Sequence, residues 1–228
     1  FDQIVLLSEN IRSSFITQYP QLKNKTVVNA NLIPVEEIFL KANIDKDCLK
    51  FISIGRIDKY KYKYLLPVLS RLYDEGYKFH WTIIGDGPDF SYLHKKVEKS
   101  KFNRLICFGG KQNNPFLFLK QADIFALLSE YEGLPNTIFE SLILGVPVIA
   151  TDVGGINEQV IQGETGWLAE NSEKGVYETL KYILDHPEEV QQIKNKLVDY
   201  KYDNSSIIDK DYKILFGNED PRVNLLQN

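Results

Sequence analysis

Residues 51–85 read FISIGRIDKYKYKYLLPVLSRLYDEGYKFHWTIIG, and the fold follows from this stretch. Phe51–Ile54 is a short apolar run that ends in Gly55. From Tyr64 to Tyr73, Leu65, Leu66, Leu69 and Leu72 recur at helical spacing. Phe79–Ile84 is a second apolar run, closed by Gly85. Strand, helix and strand in that order make a βαβ unit, whose two strands lie parallel. Both runs are nearly continuous in apolar residues, the pattern of strands covered on both faces.

The alternation continues towards the C-terminus. A helix is expected over Asp89–Lys99, a strand over Leu105–Phe108 and a short helix over Pro115–Gln121. Ile124–Leu128 is the fourth strand, Asn136–Leu144 a helix and Val148–Thr151 the fifth strand. A helical turn over Gly154–Ile161, a short strand over Gly166–Leu168 and helices over Val176–Leu184 and Glu188–Tyr200 complete the pattern. Upstream, Ile4–Leu7 is an apolar run, Ser8 is placed to cap a helix through Tyr19, and Thr26–Asn29 is a short strand. Asn31–Ile44 reads as a connector or short helix. The fold class is therefore α/β, a Rossmann-like parallel sheet with helices on both faces. Residues 1–50 are expected as a lead-in, 51–200 as the Rossmann-like domain, and 201–228 as a tail helix with a frayed end.

Composition narrows the function. The chain has 228 residues, 43% hydrophobic and 25% charged, enough for a sizeable core. Its 27 basic and 31 acidic residues give a net charge of −4, so there is no basic field for nucleic acid. The longest apolar run, Ser141–Ala150, is broken by Gly145 and Pro147 and falls short of the roughly 18 residues of a membrane span. Cys48 and Cys107 form no disulfide framework, and His80, His94 and His186 are scattered without metal-site spacing. A cytoplasmic setting is expected. The chain starts at Phe1 and contains no methionine, which suggests a piece of a longer protein or a processed product.

Ligands of open parallel sheets bind beyond the carboxyl ends of the strands, and the candidate residues follow the strands. After the first come Gly55, Arg56 and Lys61, a permissive backbone followed by a guanidinium fork and an ammonium, suited to a diphosphate. Read alone, this is also a solvated lysine-rich loop. After the second strand comes Gly85-Asp86-Gly87-Pro88, a tight turn in which Asp86 or Asp89 can cap the next helix. It is not a dinucleotide fingerprint, because Phe90 stands where G-x-G-x-x-G needs glycine. After the fourth strand, Ser129 to Asn136 opens a helix that carries Glu140. Amides at a helix N-terminus favour an anionic or polyhydroxyl ligand, and carboxylates such as Glu132 and Glu140 are good acceptors for sugar hydroxyls, though each also reads as an ordinary loop or helix N-terminal acid. Their spacing is weak by itself, since Glu170 and Glu178 share it. Gly154-Gly155, after the fifth strand, can form a second cradle of amides.

Taken in order, Gly55-Arg56 with Lys61, Gly85 to Pro88, Glu132 to Glu140, Gly145 to Glu158 and Gly163 to Leu168 resemble the donor-binding half of a retaining glycosyltransferase of family 4, glycosyl transferases group 1, with the two-domain GT-B fold. The resemblance covers about residues 51–185. It implies that Arg56 and Lys61 contact the donor diphosphate, with Gly55 beside them. Glu132 would contact the transferred sugar, and Gly133, Leu134, Pro135 and Asn136 would lie near that sugar and the phosphates. Glu140 would hold the ribose hydroxyls, with Gly110 and Lys111 near the base. The expected donor is a nucleoside-diphosphate sugar, UDP-sugar first. No separate cofactor and no metal are implied, because the basic pair takes the metal's place.

Two departures are visible. Tyr62 follows Lys61 where the family commonly has glycine, which leaves Lys59 and Lys63 as alternatives for the clamp. Gly133-Leu134-Pro135-Asn136 replaces the commoner Gly-Phe-Gly. The expected reaction is transfer of a hexose or N-acetylhexosamine in cell-surface polysaccharide or glycolipid synthesis. The acceptor domain would precede Phe1, the isolated piece would be inactive, and the full-length enzyme would touch the inner face of the membrane peripherally. A sugar epimerase of similar fold and a non-catalytic nucleotide-sugar-binding module are the alternatives.

Overall fold

In the computed structural model the described residues are 4–6, 15–28 and 48–205. The chain divides into two units, Phe1–Val198 and Asp199–Asn228. In the first, β1 (Ile4–Leu6) and β2 (Thr26–Val28) pair in parallel as a small separate sheet. Residues 15–18 are helical, as expected. The expected helix start at Ser8, the connector Asn31–Ile44 and most of the tail lie outside the described residues. In the second unit the described stretch is short, with the Ser205 amide donating to the Asp203 carboxylate at 3.0 Å.

The main sheet is built from β3 (Leu49–Ile54), β4 (Phe79–Ile84), β5 (Ile106–Gly110), β6 (Ile124–Leu127), β7 (Val148–Thr151) and β8 (Gly166–Ala169). All six are parallel, in the order β5-β4-β3-β6-β7-β8. The helices are α1 (Leu65–Asp74), α2 (Phe90–Glu98), α3 (Phe116–Leu119), α4 (Asn136–Ile143), α5 (Glu173–Asp185) and α6 (Pro187–Leu197). The Rossmann-like α/β expectation is met. The chain steps outward from β3 to β4 and β5, then returns to the other side of β3. Right-handed crossovers in the two directions place their helices on opposite faces.

The core lies where the sequence is most apolar. Trp81, Trp167, Phe51, Phe79 and Phe125 are fully buried. Phe51 and Trp81 stack across β3 and β4 with centroids 4.9 Å apart. Every residue of β4 is buried, His80 included. Burial, with the Lys50 ammonium adding to it, lowers the His80 imidazole to about 4, so it is neutral at pH 7. Ser53 meets both neighbours of its strand: its Oγ accepts from Trp81 Nε1 at 3.1 Å and donates to the Ala126 carbonyl at 2.8 Å.

Boundaries differ from the sequence reading where a tertiary or capping contact extends or ends an element. β5 runs through Gly109 and Gly110 rather than stopping at Phe108, because glycine at 109 leaves room for the Ile84 side chain. α5 starts at Glu173 and not Val176, because Ser172 caps it by accepting from the Gly175 amide at 3.0 Å. The expected turn over Gly154–Ile161 is a 3-10 segment, Ile156–Glu158, and α3 is only four residues long. Among the described residues no helix is long and apolar enough to cross a membrane.

Ser53→Ala should strand the buried Trp81 indole N–H and the Ala126 carbonyl. The expected loss is about 1–3 kcal/mol for a buried polar group left unpaired, with an unchanged urea m-value. Equilibrium denaturation checks it.

Candidate functional site

The strand order fixes where a cleft can form. Because the chain leaves β3 towards β4 but enters β6 on the other side, the loops following β3 and β6 diverge at the carboxyl edge. This is the topological switch point, where open α/β sheets bind ligands. The structure puts a charged pair across it. Lys61 Nζ, from the loop after β3, lies 2.9 Å from Glu132 Oε1, from the loop after β6. Ser129 Oγ donates to the same carboxylate oxygen at 2.8 Å. Glu132 Oε2 makes no hydrogen bond among the described residues.

Further contacts hold these two loops in register. The Glu130 amide donates to the Tyr60 carbonyl at 2.9 Å, and Lys63 pairs with the Glu130 carboxylate. Tyr60 and Tyr131 meet edge to face at 5.9 Å. Asp58 Oδ1 accepts from the Tyr60 and Lys61 amides at 3.1 Å each. The three lysines are thereby told apart: Lys63 is engaged by Glu130, Lys59 Nζ lies 5.0 Å from the Tyr60 ring centroid, and Lys61 reaches Glu132. Tyr62, in the place of the family's glycine, has its hydroxyl pKa raised, chiefly by burial.

Beside this pair is a hollow of about 520 Å³ at the ends of β3, β4 and β5, lined by Gly55, Arg56, Gly85 to Pro88, Lys111 and Gln112 among others. It adjoins the pair, since a Cβ on Gly55 would lie 3.6 Å from Lys61 Nζ. The loops approach so closely that a Cβ on Gly85, whose φ is +140°, would sit 1.8 Å from the Gly55 carbonyl oxygen. Gly110 accepts from the Gly85 amide at 2.8 Å, and Lys111 is exposed at the rim. Arg56 is exposed and makes no ion pair or hydrogen bond among the described residues. The expected capping of α2 by Asp86 or Asp89 is not made. Asp89 Oδ2 accepts from the Lys59 amide at 2.8 Å, Asp86 Oδ1 from its neighbour Gly87 at 2.8 Å, and no side chain caps the helix.

On the other side of Glu132 the chain turns into α4. Pro135 stands at the N-cap in extended conformation. Gly133 accepts from the Gly155 amide at 2.9 Å. Gly154 packs so tightly that a Cβ there would lie 1.9 Å from the Glu132 carbonyl oxygen. The amides of Leu134, Asn136 and Thr137 donate no hydrogen bond among the described residues, and those of Asn136 and Thr137, in the first turn, form the positive end of the α4 dipole. Glu140 lies on α4 beyond this mouth. Its side chain has no hydrogen bond or ion pair among the described residues, and partial burial raises its carboxyl pKa.

The candidates thus occupy a contiguous path: the hollow with Gly55, Arg56 and Lys111, the Lys61–Glu132 pair, and the mouth of α4 with Gly133, Leu134, Pro135 and Asn136. Cations, carboxylates and helix-end amides along one cleft suit a ligand that has phosphates and hydroxyls. The sequence reading passed over two contributors. Ser129 stands three residues before Glu132, a spacing that allows a local side-chain bond. Gln159, whose Nε2 donates to the Pro135 carbonyl at 3.0 Å, is 24 positions away and carries no local signal.

Residues 34–197, well over half of the chain, match the family described as glycosyl transferases group 1, and the chain belongs to it. It is 31% identical over 161 residues to an uncharacterized glycosyltransferase of Methanocaldococcus jannaschii, covering 66% of this chain and 40% of that protein. It is 29% identical over 202 residues to the N-acetylgalactosamine-N,N'-diacetylbacillosaminyl-diphospho-undecaprenol 4-alpha-N-acetylgalactosaminyltransferase of Campylobacter jejuni, covering 86% and 54%. Among solved structures, Anabaena HepE in complex with UDP and glucose superposes with a TM-score of 0.65 at 17% identity, over 94% of this chain and 62% of that one. The structural neighbours are GT-B glycosyltransferases. The chain spans about half the length of these curated relatives.

Glu140 generates a pH prediction. Its raised folded-state pKa means that the native state holds the proton more tightly than the unfolded chain. Stability should fall as pH rises from the ordinary carboxylate range through the raised value. Glu140→Gln should therefore melt above wild type at pH 7, with the difference gone below about pH 4. Thermal melts across pH 3.5–8 check this.

Proposed function

We propose that this chain is the donor-binding half of a retaining glycosyltransferase. It would take a nucleoside-diphosphate sugar, a UDP-sugar first, and supply a hexose or N-acetylhexosamine to an acceptor hydroxyl in polysaccharide or glycolipid synthesis. The observation that carries this reading is the Lys61–Glu132 pair at the switch point, flanked by Arg56 on one side and the α4 amides on the other. The relatives' names and the UDP held by HepE support the substrate class.

In this reading the diphosphate lies along Gly55, Arg56 and Lys61. Glu132, already oriented by Ser129, keeps Oε2 for a sugar hydroxyl. The amides at Leu134 and Asn136, with Gly133 and Pro135 shaping their turn, face the sugar and phosphates. Glu140 accepts from the ribose hydroxyls, and its partial desolvation strengthens those bonds. Gly110 and Lys111 border the base. During transfer the bond between the anomeric carbon and the diphosphate oxygen breaks, a bond to the acceptor oxygen forms on the same face, and the acceptor hydroxyl passes its proton to the departing diphosphate oxygen. Charge gathers on the departing diphosphate, where Arg56 and Lys61 stabilise it. Preorganised groups of this kind contribute several kcal/mol. Lys61 has three donor protons and can serve Glu132 and a phosphate together. Because these cations meet the charge, the reading needs no metal and no separate cofactor. The acceptor surface belongs to a second, N-terminal domain that closes over the donor, in a cytoplasmic enzyme touching the inner face of the membrane.

Calorimetric titration with UDP tests the site. Arg56→Ala and Glu140→Ala should each weaken binding about ten-fold or more, the scale of a lost charge-assisted hydrogen bond. Wild-type affinity in both variants would show the assignment to be wrong.

A further inference from the structure

Gln159 is 4% exposed and follows the 3-10 segment Ile156–Glu158. Its Nε2 donates to the Pro135 carbonyl at the mouth of α4, while its Oε1 is buried without a partner among the described residues. Leaving half of a buried amide unpaired is costly, and an apolar side chain of the same length would avoid that cost. Stability alone therefore gives a poor account of this side chain.

The geometry points to another role: we propose that Gln159 is a positioning residue that aims the amides of the α4 mouth at the donor. The peptide groups here are trans, so each carbonyl points opposite to the N–H that follows it. Holding the Pro135 carbonyl therefore fixes the direction of the Asn136 N–H. Gly155 does the same one step earlier, holding the Gly133 carbonyl and so aiming the Leu134 N–H. Pro135 has no N–H of its own, so over residues 134–136 these two are the amides that can face the ligand. One short segment, residues 155–159, thus orients both, and at the second position a side chain makes the contact. The Pro135 carbonyl also accepts from the Ile138 amide at 3.2 Å, a tight first turn that Gln159 completes. This role rests on the donor-site reading above.

The test compares wild type with Gln159→Met, which keeps the length and removes both amide atoms. UDP and uridine affinities are measured by calorimetry, and melting temperatures on the same samples. The expected result is UDP binding weakened about five-fold or more, uridine binding unchanged, and a melting temperature equal to or above wild type. UDP affinity equal to wild type overturns the proposal, as does an equal loss for UDP and uridine, which marks general damage to the cleft. Gln159→Leu is read the same way if the methionine variant does not fold. Wild type that binds no UDP overturns the donor reading itself and this role with it.

Discussion

The rest of the structure depends on β3, the strand at which the sheet reverses its direction of growth. β3 pairs with β4, reached by the next crossover, and with β6, reached only after the chain has built β5 and come back. Ser53 ties this junction, with one oxygen bonded to the indole of β4 and the carbonyl of β6. The reversal sends the crossovers after β3 and β6 to opposite faces while the two strand ends stay adjacent, and this brings Lys61 and Glu132, 71 positions apart in the chain, to one cleft. A sheet that grew in one direction would have carried these residues past each other.

The opening is held by contacts that keep polar groups aimed inward. Gly85, Gly87 and Gly154 let backbones approach where any Cβ would collide with a carbonyl. The same close approach brings Gly133 and Pro135 within reach of Gly155 and Gln159. Donors and acceptors fixed before a ligand arrives need little rearrangement when it does, and in a partly desolvated cleft they act more strongly than in water. The Lys61–Glu132 pair fits that pattern. Each charge is partly withdrawn from solvent, each offsets the other, and each keeps further hydrogen-bonding capacity.

Many elements were legible because their signals are local. β4 and β7 are read to the residue, Phe79–Ile84 and Val148–Thr151, because both are continuous buried runs closed by turn-forming chain. α1 follows from the spacing of Leu65, Leu69 and Leu72, all of which face the core. α5 was read three residues short because its start is set by the Ser172 side chain and not by the apolar stripe. The strand ends where site residues cluster were also legible, since βαβ order dictates which ends carry the ligand.

The amino-acid sequence by itself thus determined the parallel α/β architecture, the family and the strand-end loops in which the candidate residues stand. It did not determine which residues of those loops meet. Glu132–Glu140 and Glu170–Glu178 have the same spacing, yet Glu132 enters the cleft while Glu178 pairs with Lys174 on the surface of a helix. Lys59, Lys61 and Lys63 look equivalent in the chain, and only Glu130 and Tyr60 on the folded loops separate them. Gln159 had no signal at all. The physical reason is common to all three. Strand and helix formation reads neighbours a few positions away, whereas a site is assembled from loops brought together by sheet order, and that order exists only in the tertiary structure.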